Sequence, residues 1–261
     1  MRRFVAILIL AISRIGHRVL SVHGRFRNRN FETATLKWWL QPIPDVQFTK
    51  FPPIDDFMNG PIAWYHGRFI HQRRVEVLSR HLADLIVPDA SVLDVGCGDG
   101  LLSARLQQLR PDLSVSGIDV LVRPDAKIEV VEFDGKTIPI AKDGVDVVLM
   151  VDVLHHTDVP GDMLKEAARV SKKQVIIKDH YLQGFAAHQT LSMMDNVGNT
   201  RHGVEIPCNY QTPEQWTQLY QASGLQVAEM RNQLGLYLPP LNWFFERSLH
   251  FIASLEERTK S

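Results

Sequence analysis

The chain has 261 residues, 45% of them hydrophobic, and its 29 basic and 29 acidic side chains give a net charge of zero. That size and composition suit one α/β domain with an extension and exclude a disordered chain or a solenoid of repeats. Two cysteines, Cys97 and Cys208, are too few for a disulfide framework or a cysteine-held metal cluster and fit a reducing compartment.

The neutral total hides an uneven distribution. Residues 1–30 hold seven arginines (Arg2, Arg3, Arg14, Arg18, Arg25, Arg27 and Arg29) and no lysine or acid, leaving 22 basic against 29 acidic residues in the body. The apolar run from Phe4 to Ile12 is nine residues long, well short of the roughly 20 that span a bilayer. From Arg14 onward the segment is amphipathic. Arg14, His17, Arg18, Ser21 and Arg25 share one helical face and Ile15, Val19 and Val22 the other. Such a helix is suited to an anionic membrane surface, apolar side down. A targeting segment, mitochondrial in a eukaryote, and a helix packed on the domain are the rival readings; no small-x-small cleavage site follows the apolar run. The expected location is cytoplasmic, with peripheral membrane contact through residues 1–30.

Residues 31–74 are rich in proline and aromatics, among them Trp38, Trp39, Pro42, Pro44, Phe51, Pro52, Pro53 and Phe57. X-Pro steps prevent a long helix, so this stretch is expected to cover the domain as an irregular cap. Helical spacing of Ile70, Val75, Leu78, Leu82 and Leu85 predicts a helix within Trp64–Ile86. The main domain is expected over 75–261.

The organising stretch is Ser91–Ser103, SVLDVGCGDGLLS. An apolar strand carries Asp94 near its end, breaks at Gly96, Gly98 and Gly100, and passes into a helical run. Strand, glycine turn and helix N-terminus let the backbone come close to a nucleotide-like ligand. The spacing is G-x-G-x-G, not the G-x-G-x-x-G of dinucleotide sites, and the preceding carboxylate would repel a pyrophosphate but pair with a cation. Both features disfavour a nicotinamide-dependent oxidoreductase. A sulfonium nucleoside with an amino group, S-adenosyl-L-methionine, meets the requirement.

Here the sequence resembles the class I S-adenosylmethionine-dependent methyltransferases, whose first motif, E/D-x-G-x-G-x-G, matches Asp94 to Gly100. The resemblance covers about residues 75–233. It implies a Rossmann-like methyltransferase fold: α/β, doubly wound, with a mostly parallel seven-stranded sheet behind the N-terminal extension. The alternating strands and helices of this chain independently predict a parallel sheet with right-handed crossovers. A second strand, LSVSGIDV, ends at Asp119, 25 positions beyond Asp94; the resemblance places the ribose-binding acid there, beside Val120. A third strand, KIEVVEFDG, ends at Phe133, Asp134 and Gly135, and the resemblance gives Asp134 to the adenine amino group, with Phe133 packing on the ring; an ordinary turn-forming role for Asp134 stays open. Cys97 lies inside the cofactor turn and is read as a small residue between glycines, not a nucleophile.

The fourth strand, VDVVLMV, is near-continuously apolar, as suits a central strand buried on both faces. It leads to Asp152, His155 and His156, and the resemblance sets this loop near the transferred methyl, with Asp152 on the cofactor side. After the helix MLKEAARVS comes a fifth strand, QVIIKDHYL, ending in Asp179, His180 and Tyr181. Ser171-Lys172-Lys173 replaces a Pro-Gly-Gly turn of many relatives, which puts only that turn in doubt. His155, His156 and His180 are the candidate general bases, because an imidazole titrates near neutral pH. No metal site is expected, since these histidines with Asp152 and Asp179 give no tidy ligand spacing.

Residues 184–210 have mixed polarity without a clean period and are expected to form a lid on the substrate side, carrying Asp195, Asn196, Asn199 and His202. Thr212-Pro213-Glu214 opens a helix with Thr212 as N-cap, and Gly224 stops it. LQVAEMRN and LHFIASLE are the sixth and seventh strands, the seventh expected as an antiparallel edge. The apolar, proline-broken LGLYLPPLNWFF between them, with the basic head, points to a lipophilic acceptor. The reading is therefore a methyltransferase for a small, lipid-like acceptor, by O- or C-methylation, at a membrane surface. The alternative is a catalytically silent methyltransferase-like binding or assembly protein. Nucleic acid is not expected as a partner, because the acidic body lacks a basic groove.

Overall fold

The computed structural model describes residues 70–199 and 209–258, with the backbone alone for 196–199. The basic head, most of the proline-rich cap, and His202 and Cys208 of the insertion lie outside the described residues.

Strand β1 (Ser91–Val95) runs parallel between β2 (Ser114–Asp119) and β4 (Val145–Val151). Strand side chains alternate between faces, and here both faces are covered. On one side Val92, Val147, Leu149 and Ile176 pack with Leu78 and Leu82 of helix α1 (Gln72–Leu85) and Leu106 of α2 (Leu101–Leu109). On the other, Leu93, Val95, Val148 and Met150 pack with Leu164 and Ala167 of α3 (Pro160–Val170) and with Trp216 and Tyr220 of α5 (Pro213–Ala222). Three layers result, helices on both sides of one sheet. Trp216 is fully buried and donates Nε1–H to the His180 carbonyl at 2.9 Å. Truncating so large a buried ring costs about 3–5 kcal/mol.

The sheet has seven strands in the order β3-β2-β1-β4-β5-β7-β6, where β3 is Val130–Glu132, β5 Ser171–His180, β6 Leu225–Arg231 and β7 His250–Glu257. Strand β7 pairs antiparallel with both β5 and β6, and the other pairings are parallel. The doubly wound, mostly parallel sheet is the one expected from the alternation of elements. The Thr212 cap is also as expected: Thr212 Oγ1 accepts from Gln215 N–H, the Gln215 side chain returns to Thr212 N–H, and Pro213 opens the helix.

Four local expectations change. Strand β7 lies inside the sheet, and β6 forms the outer edge; an unbroken buried run from His250 to Leu255 needs cover on both faces, which an edge position would not give it. The third strand is three residues, because Phe133 to Gly135 leave the ladder for a turn. Residues 187–199 of the insertion form a helix, α4 (Ala187–Asn199). Finally α3 passes into β5 without a turn, Ser171 being both helix cap and first strand residue. Among the described residues no helix is long and apolar enough to cross a membrane.

Candidate functional site

The C-terminal ends of β1 and β2 build the first half of the site. Gly96, Gly98 and Gly100 have φ values of 71°, 61° and 69°, a conformation that favours glycine. Space enforces the same choice: a Cβ on Gly96 would lie 2.6 Å from Val153, and one on Gly100 2.6 Å from Ile128. The N–H groups of Gly96 and Cys97 donate to the Ile118 carbonyl at 2.8 and 3.3 Å, tying the turn to β2. Asp119, at the tip of β2, accepts from Gly98 N–H at 2.7 Å and from Leu121 N–H at 3.0 Å. A carboxylate has about four acceptor positions, so capacity remains for a ligand.

Asp94 is buried, and its Oδ2 accepts from Ser103 Oγ in the first turn of α2 at 2.5 Å. Burial, aided by the charge of Asp119 and opposed by the Ser103 hydrogen bond, raises its pKa to about 7. Cys97 turns its thiol onto Gly117, where a Cβ would sit 2.6 Å from Sγ. Burial first, and then the Asp94 charge, pushes that thiol up to about 12, so it does not serve as a nucleophile. Gly117 is a required glycine that the motif did not reveal; its signal was a lone glycine within a strand pattern.

Beside Asp119 the chain exposes apolar surface. Val120, Leu121 and Val131 are 53%, 50% and 52% accessible. Phe133 packs partly against the core. Asp134 Oδ1 accepts from the N–H groups of Lys136 and Thr137, both at 2.8 Å, which lowers its pKa, while Gly135 takes φ 72°. Asp134 thus has a turn-forming role, whatever else its second oxygen meets.

The second half lies at the ends of β4 and β5. Asp152 adopts φ 57°, a left-handed conformation that Asp tolerates better than most residues. Its carboxylate meets Arg74 Nη2 of α1 at 2.6 Å and Lys178 Nζ of β5 in a very short contact, with His180 Nε2 at 3.7 Å. Burial opposes ionisation of Asp152, but Lys178 and Arg74 outweigh it and hold the pKa far below the usual range. Lys178 is wholly buried, and burial lowers its own pKa. Neither Arg74 nor Lys178 was singled out in the sequence: one sits in a helix pattern and the other inside a strand pattern.

His155 is completely buried in a 3₁₀ turn, Leu154–His156. Its Nδ1 pairs with Asp179 Oδ1 at 2.7 Å, and its Nε2 stands 3.4 Å from Asp195 Oδ2 of α4. Asp179 also accepts from Leu154 N–H and His180 N–H, and Asp195 from the Tyr210 hydroxyl. Burial lowers the His155 pKa, but Asp179 and then Asp195 overcome it and raise it to about 10. His156 stacks at 3.9 Å from His155 and is only half-buried; burial and the His155 charge lower its pKa. His180 is buried, and burial together with Lys178 lowers its pKa strongly. The three candidate histidines thus converge, His180 lying 4.7 Å from His155 between ring centres, and of the three His156 alone keeps substantial access.

A family model described as "Methyltransferase domain" matches residues 68–230. The chain belongs to this family and carries its methyltransferase domain in the Rossmann-like fold. Among curated proteins, the mitochondrial ubiquinone biosynthesis O-methyltransferase of Saccharomyces cerevisiae is 30% identical over 89 residues, 30% of this chain and 28% of that protein. The ubiquinone biosynthesis O-methyltransferase of Pelagibacter ubique is 28% identical over 160 residues, 56% of this chain and 60% of that one. The chain spans less than two thirds of the length of these relatives. Of solved structures, a Haloferax volcanii methyltransferase complex with the activator Trm112 matches at TM-score 0.54 and 16% identity, over 77% of this chain and 96% of that one. A Thermotoga maritima S-adenosylmethionine-dependent methyltransferase matches at TM-score 0.54 and 17% identity, over 76% and 96%. At such identities they show the fold.

S-adenosylmethionine is the cofactor, and the residues present fit it. The positive-φ glycine turn leaves no side chain between backbone and ligand, Asp119 keeps acceptor capacity, and the apolar tips of β2 and β3 suit a purine face.

Proposed function

We propose that this methyltransferase transfers a methyl group to a hydroxyl of a small, lipophilic acceptor, working at a membrane surface. The observation that carries the reading is that both halves described above sit on one edge of the sheet, the carboxyl ends of β1, β2, β4 and β5, where open α/β sheets bind ligands. The names of the two O-methyltransferase relatives favour oxygen over carbon as the acceptor atom and a lipophilic partner.

On the cofactor side we assign Gly96, Cys97, Gly98 and Gly100 to close backbone approach, Asp119 to the ribose hydroxyls, and Val120, Phe133, Asp134 and Gly135 to the adenine surroundings. Asp94 places a carboxyl beneath the turn, where an approaching cation would draw it to the ionised form. Asp152, fixed by Arg74 and Lys178, holds the loop between the two halves. When bound, S-adenosylmethionine supplies a methyl group on an already cationic sulfur, so the protein's part is mainly alignment and exclusion of water. The histidine cluster prepares the acceptor hydroxyl, with His156 as the member facing the cleft, His155 braced behind it by Asp179, and His180 flanking. Helix α4 and the rest of 184–210 serve as the lid, residues 31–74 as the cap, and residues 1–30 as the peripheral membrane contact.

The test is transfer of labelled methyl from S-adenosylmethionine into an organic-solvent extract of the source cells, compared with the aqueous fraction. Label is expected in the organic fraction as a methyl ether. Label confined to the aqueous fraction, or on nitrogen or carbon, would refute the acceptor class. Deleting residues 1–24 should shift the protein away from sedimented anionic vesicles while calorimetry still detects cofactor binding.

A further inference from the structure

Inside the histidine cluster His155 Nε2 and His156 Nδ1 are buried without a hydrogen-bond partner. Buried polar atoms are rarely left so, and each calls for an explanation such as a bound ion or water. The geometry around His155 narrows the choice. Asp179 takes the Nδ1 side at 2.7 Å, which leaves Nε2 facing the Asp195 carboxylate at 3.4 Å. That separation is long for a charge-assisted hydrogen bond, which closes to about 2.7–2.9 Å. It equals the spacing of roughly 3.4 Å between two ligands of a tetrahedral ion bound at 2.0–2.1 Å. One ligand atom from each of His155, His156 and Asp195 lies within 4.8 Å of the other two.

We propose that His155, His156 and Asp195 form a binding site for a divalent cation of the zinc class, with one coordination place left open. The surroundings are those of such a site. His155 is oriented by a carboxylate on its far nitrogen, and the Asp195 oxygen is held by the Tyr210 hydroxyl; outer partners of this kind fix ligand orientation in metal centres. Two nitrogens and one oxygen with an open fourth position make a reactive donor set, not a closed structural one. The sequence concealed it because Asp195 stands 40 positions from His155 in the insertion, and the local spacing His155-His156 resembles no metal motif. For its role the inference rests on the histidine cluster being the acceptor side of the cleft. There the cation would acidify a hydroxyl in its open place, the proton passing to water, and so favour oxygen acceptors.

The experiment uses the full chain without cofactor or acceptor, so that its outcome is independent of methyl transfer. Protein is stripped with a chelator, dialysed against limiting zinc alone, and analysed for bound metal by competition with a chromogenic chelator. About one zinc per chain is expected, weakened at least about 100-fold by His155→Gln and by Asp195→Asn, and little changed by His180→Gln. The half-buried His156→Gln serves as the ligand variant where a substitution at a buried position prevents folding. Zinc retained equally by His155→Gln and His156→Gln, or no stoichiometric zinc in the parent, overturns the proposal. So does loss in His180→Gln with retention in Asp195→Asn, which would place the ion among His155, Asp179 and His180. Zinc bound as expected in a protein that methylates no hydroxyl would keep this site and refute the proposed acceptor.

Discussion

The two ends of β1 and β4 solve one problem, binding at the carboxyl edge of a sheet, by opposite physical means. At β1 the chain removes side chains: three positive-φ glycines bring bare backbone to the surface, braced by one carboxylate, Asp119. At β4 it accumulates charged and titratable side chains in the interior: Asp152 with Arg74 and Lys178, and His155 with Asp179 and Asp195. The first arrangement is local, nearly all within Asp94–Asp119. The second draws on α1, β4, β5 and α4, so its charges are balanced only when four separate elements are in place. A shape made by glycines tolerates few substitutions anywhere in the turn, whereas a charge network fails at whichever partner is removed and leaves the others buried and uncompensated.

If the two ends divide binding from chemistry, they can be separated by mutation. His156→Gln is expected to lower methyl transfer about 10²–10⁴-fold, the range for losing a group that prepares the acceptor hydroxyl, while cofactor affinity by calorimetry stays within about threefold. A parallel loss of cofactor affinity would dissolve the division. On the other side, Asp119→Ala and Gly98→Val should each weaken S-adenosylmethionine binding by at least about 30-fold, some 2 kcal/mol, with unchanged far-ultraviolet circular dichroism.

Smaller effects test how each end is held. Asp152→Asn leaves the wholly buried Lys178 without its counter-charge and should reduce stability by about 2–4 kcal/mol in urea titrations. An unchanged midpoint would mean that Lys178 discharges at little expense. Asp94 gives a pH signature at the other end. Its folded pKa, about 7, lies above the ordinary aspartate value of 3.8, so the folded state binds the proton more tightly. Its contribution is present below about pH 4 and is lost as pH rises through about 7. Asp94→Asn should therefore flatten the fall in stability between pH 4 and 7, by roughly 1–3 kcal/mol across that window. Conversely, cofactor binding near pH 6 should release protons from wild type and not from the variant, read as a buffer-dependent heat.

The division between the ends is also the division in what could be read beforehand. Asp94 to Gly100, the Asp119 tip and the Thr212 cap depend on neighbours within a few residues or on one strand-helix-strand unit, so spacing in the chain specified them. His155, His156 and His180 were visible as residues following strands, but not which was buried or what each faced, because Asp179 and Asp195 reach His155 only through packing. Lys178 was not singled out, because only the sheet order buries it, beside β7. Helix α4 was hidden by its mixed composition, since its buried positions Ala187 and Leu191 face neighbours distant in sequence.

The amino-acid sequence by itself determined the alternating α/β architecture, the glycine turn and the kind of ligand that such a turn admits, because φ preferences, strand alternation and helix caps act over a few residues. The tertiary structure alone decided the interior place of β7, the ion pairs of Asp152, and the meeting of His155 with Asp179 and Asp195. Charges attract through space and are strengthened by burial, and neither the separation nor the burial exists until the sheet and the insertion have come together.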